Sequence, residues 1–117
     1  MSDLIGLVKA YHAALNAFNV ETVEQYFAEQ AEYCSPGLKE NLFGRAAIMT
    51  AFRVYFLNHP DQIAEDDRIE LTGQNEVTSH WRLSVPSAKV DRSGTEVVQF
   101  NGDGKIIRVE VHDVSQS

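Results

Sequence analysis

The sequence predicts an α+β domain in which helices come first, a meander of strands comes last, and the helices pack on one face of a curved sheet. Three observations predict it. Up to Leu57 the apolar residues recur at spacings of three and four, which is the period of a helix with one buried face. After Pro60 the spacing changes to two, the period of a strand. Turn-forming stretches then separate the alternating runs, ending with Asn101-Gly102-Asp103-Gly104. No repeat, linker or low-complexity tract divides the 117 residues, so 1–117 reads as a single domain.

Residues 3–18 place Leu4, Val8, Tyr11, Leu15 and Phe18 on one helical stripe, with Ser2 or Asp3 able to cap its start. Asn19 then caps a shorter helix that carries Val20, Val23 and Phe27 on one face. Residues 31–34 are a short strand stopped by Ser35-Pro36-Gly37, and 38–43 read as a loop. A third helix runs from Gly44 to about Leu57 with Ile48, Phe52, Tyr55 and Phe56 facing inward. It ends at Asn58-His59-Pro60, since the residue before a proline is pushed out of helical space. Strands follow at 62–72, 76–85, 95–100 and 105–114, with 86–94 read as a loop. Val77, Ser79, Trp81, Leu83 and Val85 share one strand face; Thr78, His80, Arg82 and Ser84 share the other. Glu96, Val98 and Phe100 share a face, as do Ile107, Val109, Val111 and Asp113, each set apolar with a carboxylate at one end.

A net charge of −7, with the acids spread along the chain and no basic patch, argues against nucleic acid and anionic membranes as partners. The start shows no basic segment followed by an apolar run, and no stretch approaches the roughly 20 apolar residues of a membrane span. A cytoplasmic protein is the expectation. The lone Cys34 excludes an intramolecular disulfide and a cysteine-based zinc site, and is expected to be a small buried hydrophobe. Glu65-Asp66-Asp67 reads as a solvated face with no histidine paired to it, so no metal is expected. No Gly-rich phosphate loop and no serine–histidine–acid arrangement is present, and no cofactor is called for.

Four stretches, YHAALNAFNVETVEQYFAEQAEYCSP, FGRAAIMTAF, EVTSHWRLS and VVQFNGDGKI, follow one another in an order that resembles the SnoaL-like polyketide cyclase and ketosteroid isomerase branch of the nuclear transport factor two-like superfamily. The resemblance spans essentially the whole chain. It implies a cone, or cystatin-like roll, in which a curved mixed or antiparallel sheet encloses three N-terminal helices and leaves a deep, mainly apolar pocket. That fold hosts isomerases, cyclases, dehydratases and non-catalytic binding modules, so it does not by itself name a reaction. In the isomerase pattern a tyrosine on the first helix donates to the substrate oxygen, and this role falls on Tyr11. A second donor, an acid kept protonated by apolar surroundings, falls on Glu96. The general base falls on Ser35, whose hydroxyl cannot accept a proton at neutral pH without a base of its own, which argues against steroid isomerisation by that mechanism.

Each candidate has a plainer alternative. Tyr11 lies on the buried stripe and could simply pack. Glu96 could be an exposed strand end beside the loop 86–94, or a desolvated acid in a pocket. Asp113 falls where SnoaL-like relatives often carry a polar residue, and could also be a solvated carboxylate. His80 and His112 lie by parity on the polar outer face, which in such folds commonly forms a homodimer interface. Tyr33, Ser35, Phe52, Tyr55, Phe56, Trp81, Val98, Phe100 and Val109 are expected to line the pocket. Three functions follow: a cofactor-independent isomerase, cyclase or lyase on a small hydrophobic cyclic substrate, using Tyr11 with Glu96 or Asp113; a binding module that only orients such a ligand; or a structural dimer whose cavity is filled by its own aromatic side chains.

Overall fold

In the computed structural model, which describes residues 3–36 and 40–113, three helices pack against one face of a six-stranded mixed sheet. Helix α1 (Leu4–Asn16) is followed by α2 (Val20–Gln25), β1 (Phe27–Cys34), β2 (Leu42–Phe43), α3 (Arg45–Asn58), β3 (Ile63–Gly73), β4 (Glu76–Val85), β5 (Val90–Phe100) and β6 (Ile106–Asp113). The strand order is β2-β1-β6-β5-β4-β3. The β1–β6 pair is parallel and every other pair is antiparallel, so the early strand joins the last one and closes the helices into the curve of the sheet.

The helix starts follow from their caps. The Asp3 carboxylate accepts from the Gly6 amide at 2.9 Å, and the Asn19 side chain accepts from the Thr22 amide at 3.2 Å. On α1 the buried positions are Leu4, Val8, Tyr11 and Ala14. The helix then stops at Phe18, whose φ of 57° breaks the spiral while the Asn19 amide bonds back to the Ala14 carbonyl. Phe18 is thereby turned off the stripe and packs on Phe56, with ring centroids 5.0 Å apart. The core is formed by Val8, Tyr11, Val23 and Phe27 from the N-terminal third, Ile48 and Met49 from α3, and Val77, Val98, Ile106 and Val109 from the sheet. Among the described residues, no helix is long and apolar enough to cross a membrane.

Five local expectations are corrected. Phe27 is not on the second helix, which ends at Gln25; it opens β1, which runs Phe27–Cys34 rather than 31–34. The stretch 86–94 is not a loop: a short helical turn, Pro86–Ala88, and Lys89 at φ 54° reverse the chain, and β5 starts at Val90, where Val85 pairs with Val90. Asp91 to Gly94 are poor strand formers, but each completes a ladder position opposite β4. Of the expected loop 38–43, residues 38 and 39 lie outside the described residues, and Leu42–Phe43 form the two-residue strand β2, paired with β1. Ile107 is half-exposed at 39% rather than inward, because a register shift beside Phe100 sends Ile106 into the core instead. Cys34 is only partly buried. The hairpin itself is built by Asn101, whose side-chain oxygen accepts from the Asp103 and Lys105 amides at 2.9 and 3.0 Å, with Gly104 at φ 78°.

One glycine is fixed by packing. Gly94 stands opposite Trp81 on the neighbouring strand, and a Cβ there would lie 2.7 Å from the indole and 1.9 Å from the His112 carbonyl oxygen. Backbone cannot yield as a flexible side chain does, so Gly94→Ala is expected to cost at least about 2–3 kcal/mol. Urea unfolding of the variant measures this; an unchanged midpoint would mean that the strands separate there at little cost.

Candidate functional site

Between α1, α3 and the inner face of the sheet lies a cavity of about 590 Å³ with mainly apolar and aromatic walls. Helix α3 supplies Phe52, Tyr55 and Phe56, with the first and last stacked at 5.9 Å. The sheet supplies Tyr33, Trp81, Arg92 and Glu96, and Ser35 follows β1. The polar element is a side chain from α1. His12 lies one residue past the buried Tyr11, about 100° around the helix, and so faces the inner side of β3 and β5 rather than the core.

There it bridges two carboxylates. His12 Nδ1 lies 2.7 Å from Asp66 Oδ2, and His12 Nε2 lies 2.6 Å from Glu96 Oε1. The side chains of His12, Asp66 and Glu96 are 15%, 21% and 8% exposed, so water screens the group little. Asp66 reaches inward because it alternates with Glu65 and Asp67, both of which turn outward to Arg82. Helix α1 is held at this strand by Asn16, whose side chain donates to the Ala64 carbonyl at 2.9 Å and accepts from the Ala64 amide at 3.3 Å. Burial alone would drive the imidazole neutral. The Glu96 charge and the hydrogen bonds to Asp66 and Glu96 overcome it and raise His12 to about 10. At neutral pH the ring is therefore an imidazolium, donating Nδ1–H to Asp66 and Nε2–H to Glu96. The second Glu96 oxygen has no hydrogen-bond partner among the described residues.

The candidates from the sequence divide. Glu96 is not an exposed strand end: it sits within β5 at the cavity wall. Tyr33, Ser35, Phe52, Tyr55, Phe56 and Trp81 also lie in the lining. Tyr11 does not. Its ring is sealed in the core, edge-on to Phe27 at 5.5 Å, and burial followed by the Glu96 charge holds its phenol well above the ordinary range. Val98, Phe100 and Val109 are core residues beneath the cavity, not its wall. Asp113 lies outside the lining at the end of β6, where both its oxygens accept from Arg92 Nη2 at 2.6 Å. His80 and His112 sit among outer-face charges, beside Glu70 and Glu110. The acidic run at 65–67 does have a histidine paired with it, because Asp66 holds His12. The two carboxylates take opposite ring nitrogens instead of converging, and among the described residues no group of three or more metal-ligating side chains is placed to hold an ion.

His12, Asp66 and Arg92 were not legible as site residues. The available signals were the position of His12 one step off the apolar stripe and the shared inward parity of Ala64 and Asp66. Arg92 was hidden by its place in a stretch without strand character.

Residues 8–109 match the family model of the SnoaL-like domain. Solved structures with the same fold include a SnoaL-like protein of unknown function from Burkholderia thailandensis, 20% identical over 98% of this chain and 99% of that one, with a TM-score of 0.82. A protein from Sinorhizobium meliloti provisionally described as a polyketide cyclase is 19% identical over 92% and 94%, with a TM-score of 0.80. One from Kribbella flavida provisionally described as a ketosteroid isomerase is 20% identical over 97% and 79%, with a TM-score of 0.82. At these identities the likeness is one of fold. No curated protein matches the chain.

Proposed function

The chain belongs to the SnoaL-like domain family, and from that premise we propose that its cavity takes a small hydrophobic cyclic molecule on which Glu96 moves a proton without a cofactor. One observation carries this reading: a carboxylate at an apolar cavity wall, with one oxygen held by the His12 imidazolium and the other unengaged among the described residues. The free oxygen takes a proton from a carbon next to a carbonyl. The C–H bond breaks, an O–H bond forms on Glu96, and the electron pair moves onto the carbonyl oxygen. Tyr33 is the donor for that oxygen. Burial and then the Glu96 charge raise its phenol well above the ordinary range, so it stays protonated at any working pH and can stabilise a developing oxyanion. It takes the part that the isomerase pattern would give to Tyr11. Asp66 fixes the orientation and charge of His12, which holds one Glu96 oxygen and leaves the other facing the ligand.

Incubation with a panel of cyclic ketones in D2O tests the reading without knowledge of the natural substrate. Deuterium should enter the α-carbon of at least one member, seen by NMR. No exchange across the panel, together with saturable binding of the same ketones, would replace this function with ligand binding alone.

Ser35 lines the same cavity, on a different wall from Glu96. Steroid double-bond isomerisation should therefore be undetectable in the parent and appear in Ser35→Asp, which restores a carboxylate where the isomerase pattern has its base. Absorbance of the conjugated product reports it, and activity in the parent would mean that Glu96 already reaches the steroid.

A further inference from the structure

Resting on the reading of the cavity as a ligand site, we infer that Arg92, with the Tyr55 hydroxyl, is a specificity-determining donor subsite that takes a neutral carbonyl oxygen of the ligand away from Glu96, and that Asp113 makes it reject carboxylates. Strand β5 sends Arg92, Gly94 and Glu96 to the same side, so Arg92 and Glu96 stand about 13 Å apart along the strand. Gly94, between them, has no side chain, and the Trp81 indole covers the gap. The Arg92 guanidinium lies 5.9 Å from the centre of that ring. The wall therefore runs from an acceptor, Glu96, across a flat aromatic surface to a donor, Arg92.

Asp113 already meets the charge of Arg92 through both hydrogens of Nη2, at 2.6 Å to each carboxylate oxygen. The Nε and Nη1 hydrogens have no acceptor among the described residues, and neither does the hydroxyl of Tyr55. Both side chains line the cavity, and the Arg92 charge is felt at the Tyr55 phenol, which burial nonetheless keeps protonated. An apolar ligand end would leave these donors unpaired, and an anionic end would bring a second negative charge against Asp113 with only one cation between them. A carbonyl oxygen accepts from the donors without that repulsion. Asp113 is thus a positioning residue, acting through Arg92.

Equilibrium dialysis of the whole chain against 2-acetylnaphthalene, 2-ethylnaphthalene and 2-naphthoate tests this, since the three share one ring system and differ at one end. The parent should bind the ketone about tenfold more tightly than either of the others, the scale of a hydrogen-bonded site against an analogue that cannot fill it. Arg92→Met keeps the side-chain stem and should reduce the ketone's advantage over the hydrocarbon to about threefold or less. Asp113→Asn unmasks the guanidinium and should raise 2-naphthoate affinity by about tenfold, a readout that loss of packing would not produce. An unchanged ketone-to-hydrocarbon ratio in Arg92→Met, a parent that prefers naphthoate, or no binding of any probe overturns the subsite. Should Arg92→Met fail to fold, the parent's ratio and the Asp113→Asn gain decide. The acid–base reading fails separately: a chain that prefers the ketone yet exchanges no deuterium keeps the donor subsite and loses the proton transfer.

Discussion

Replacing His12 with alanine is expected to destabilise the fold by about 3–5 kcal/mol at pH 7, the usual cost of removing one partner from a buried ion pair. The magnitude comes less from the lost contact than from what remains. Glu96, 8% exposed in the parent, would lose its cation, and Asp66 would face it across the vacated space. Against a typical total stability of about 5–15 kcal/mol this is the largest single-site loss expected in the molecule. Urea unfolding measures it. Substituting both His12 and Glu96 by leucine should recover part of the loss, because the more deeply buried carboxylate leaves with its partner while Asp66 stays unpaired. A double variant no more stable than His12→Ala would show that shape, not charge, holds this corner together.

The same group gives stability a defined pH dependence. His12 titrates at about 10 when folded and near its ordinary 6.5 when unfolded. Between those values the folded chain binds more protons, so the contribution is full below about 6.5 and is lost as pH rises toward 10. The urea midpoint should fall steadily from pH 7 to 9, and His12→Gln should remove most of that slope. A flat profile in the parent would place the His12 proton elsewhere.

The second large effect is on chemistry. Glu96→Gln retains size and a hydrogen-bond acceptor for His12 but cannot take a proton, so deuterium exchange should fall by about 10²–10⁴-fold, the range of a general base. Ligand affinity should change little, since the apolar walls and the Arg92 end are untouched. Exchange that survives in Glu96→Gln would assign the proton transfer to another group. Loss of exchange together with binding would mean that Glu96 holds the ligand rather than acting on it.

Alternation along the chain was sufficient to identify the inner face. Trp81, Leu83 and Glu96 line the cavity on the face their spacing predicted, while Thr78, His80 and Arg82 lie on the other. Where parity failed, an irregularity in the ladder was the cause: the shift beside Phe100 exchanged Ile107 for Ile106, and no local residue preference announces such a shift. Depth along the inward face was also hidden. Val98, Phe100 and Val109 point inward as expected, but they lie under the packed helices rather than beside the open space.

The sequence by itself determined the order of the helices and the longer strands, a first cap at Ser2 or Asp3, the cap at Asn19, the hairpin at 101–104 and the family. Each rests on local periodicity, on a side chain bonding to nearby backbone, or on motifs in a characteristic order. Only the tertiary structure decided the site. His12 meets Asp66 and Glu96 across 54 and 84 residues of chain, and Arg92 meets Asp113 across 21. A lone histidine one step off an apolar stripe, an acid within an acidic run and an arginine in a weak strand carry no distinctive pattern. They become a charged bridge and a donor subsite because the closure of the sheet around α1 brings them together, the bridge where little water can screen it and the donor subsite nearer the surface.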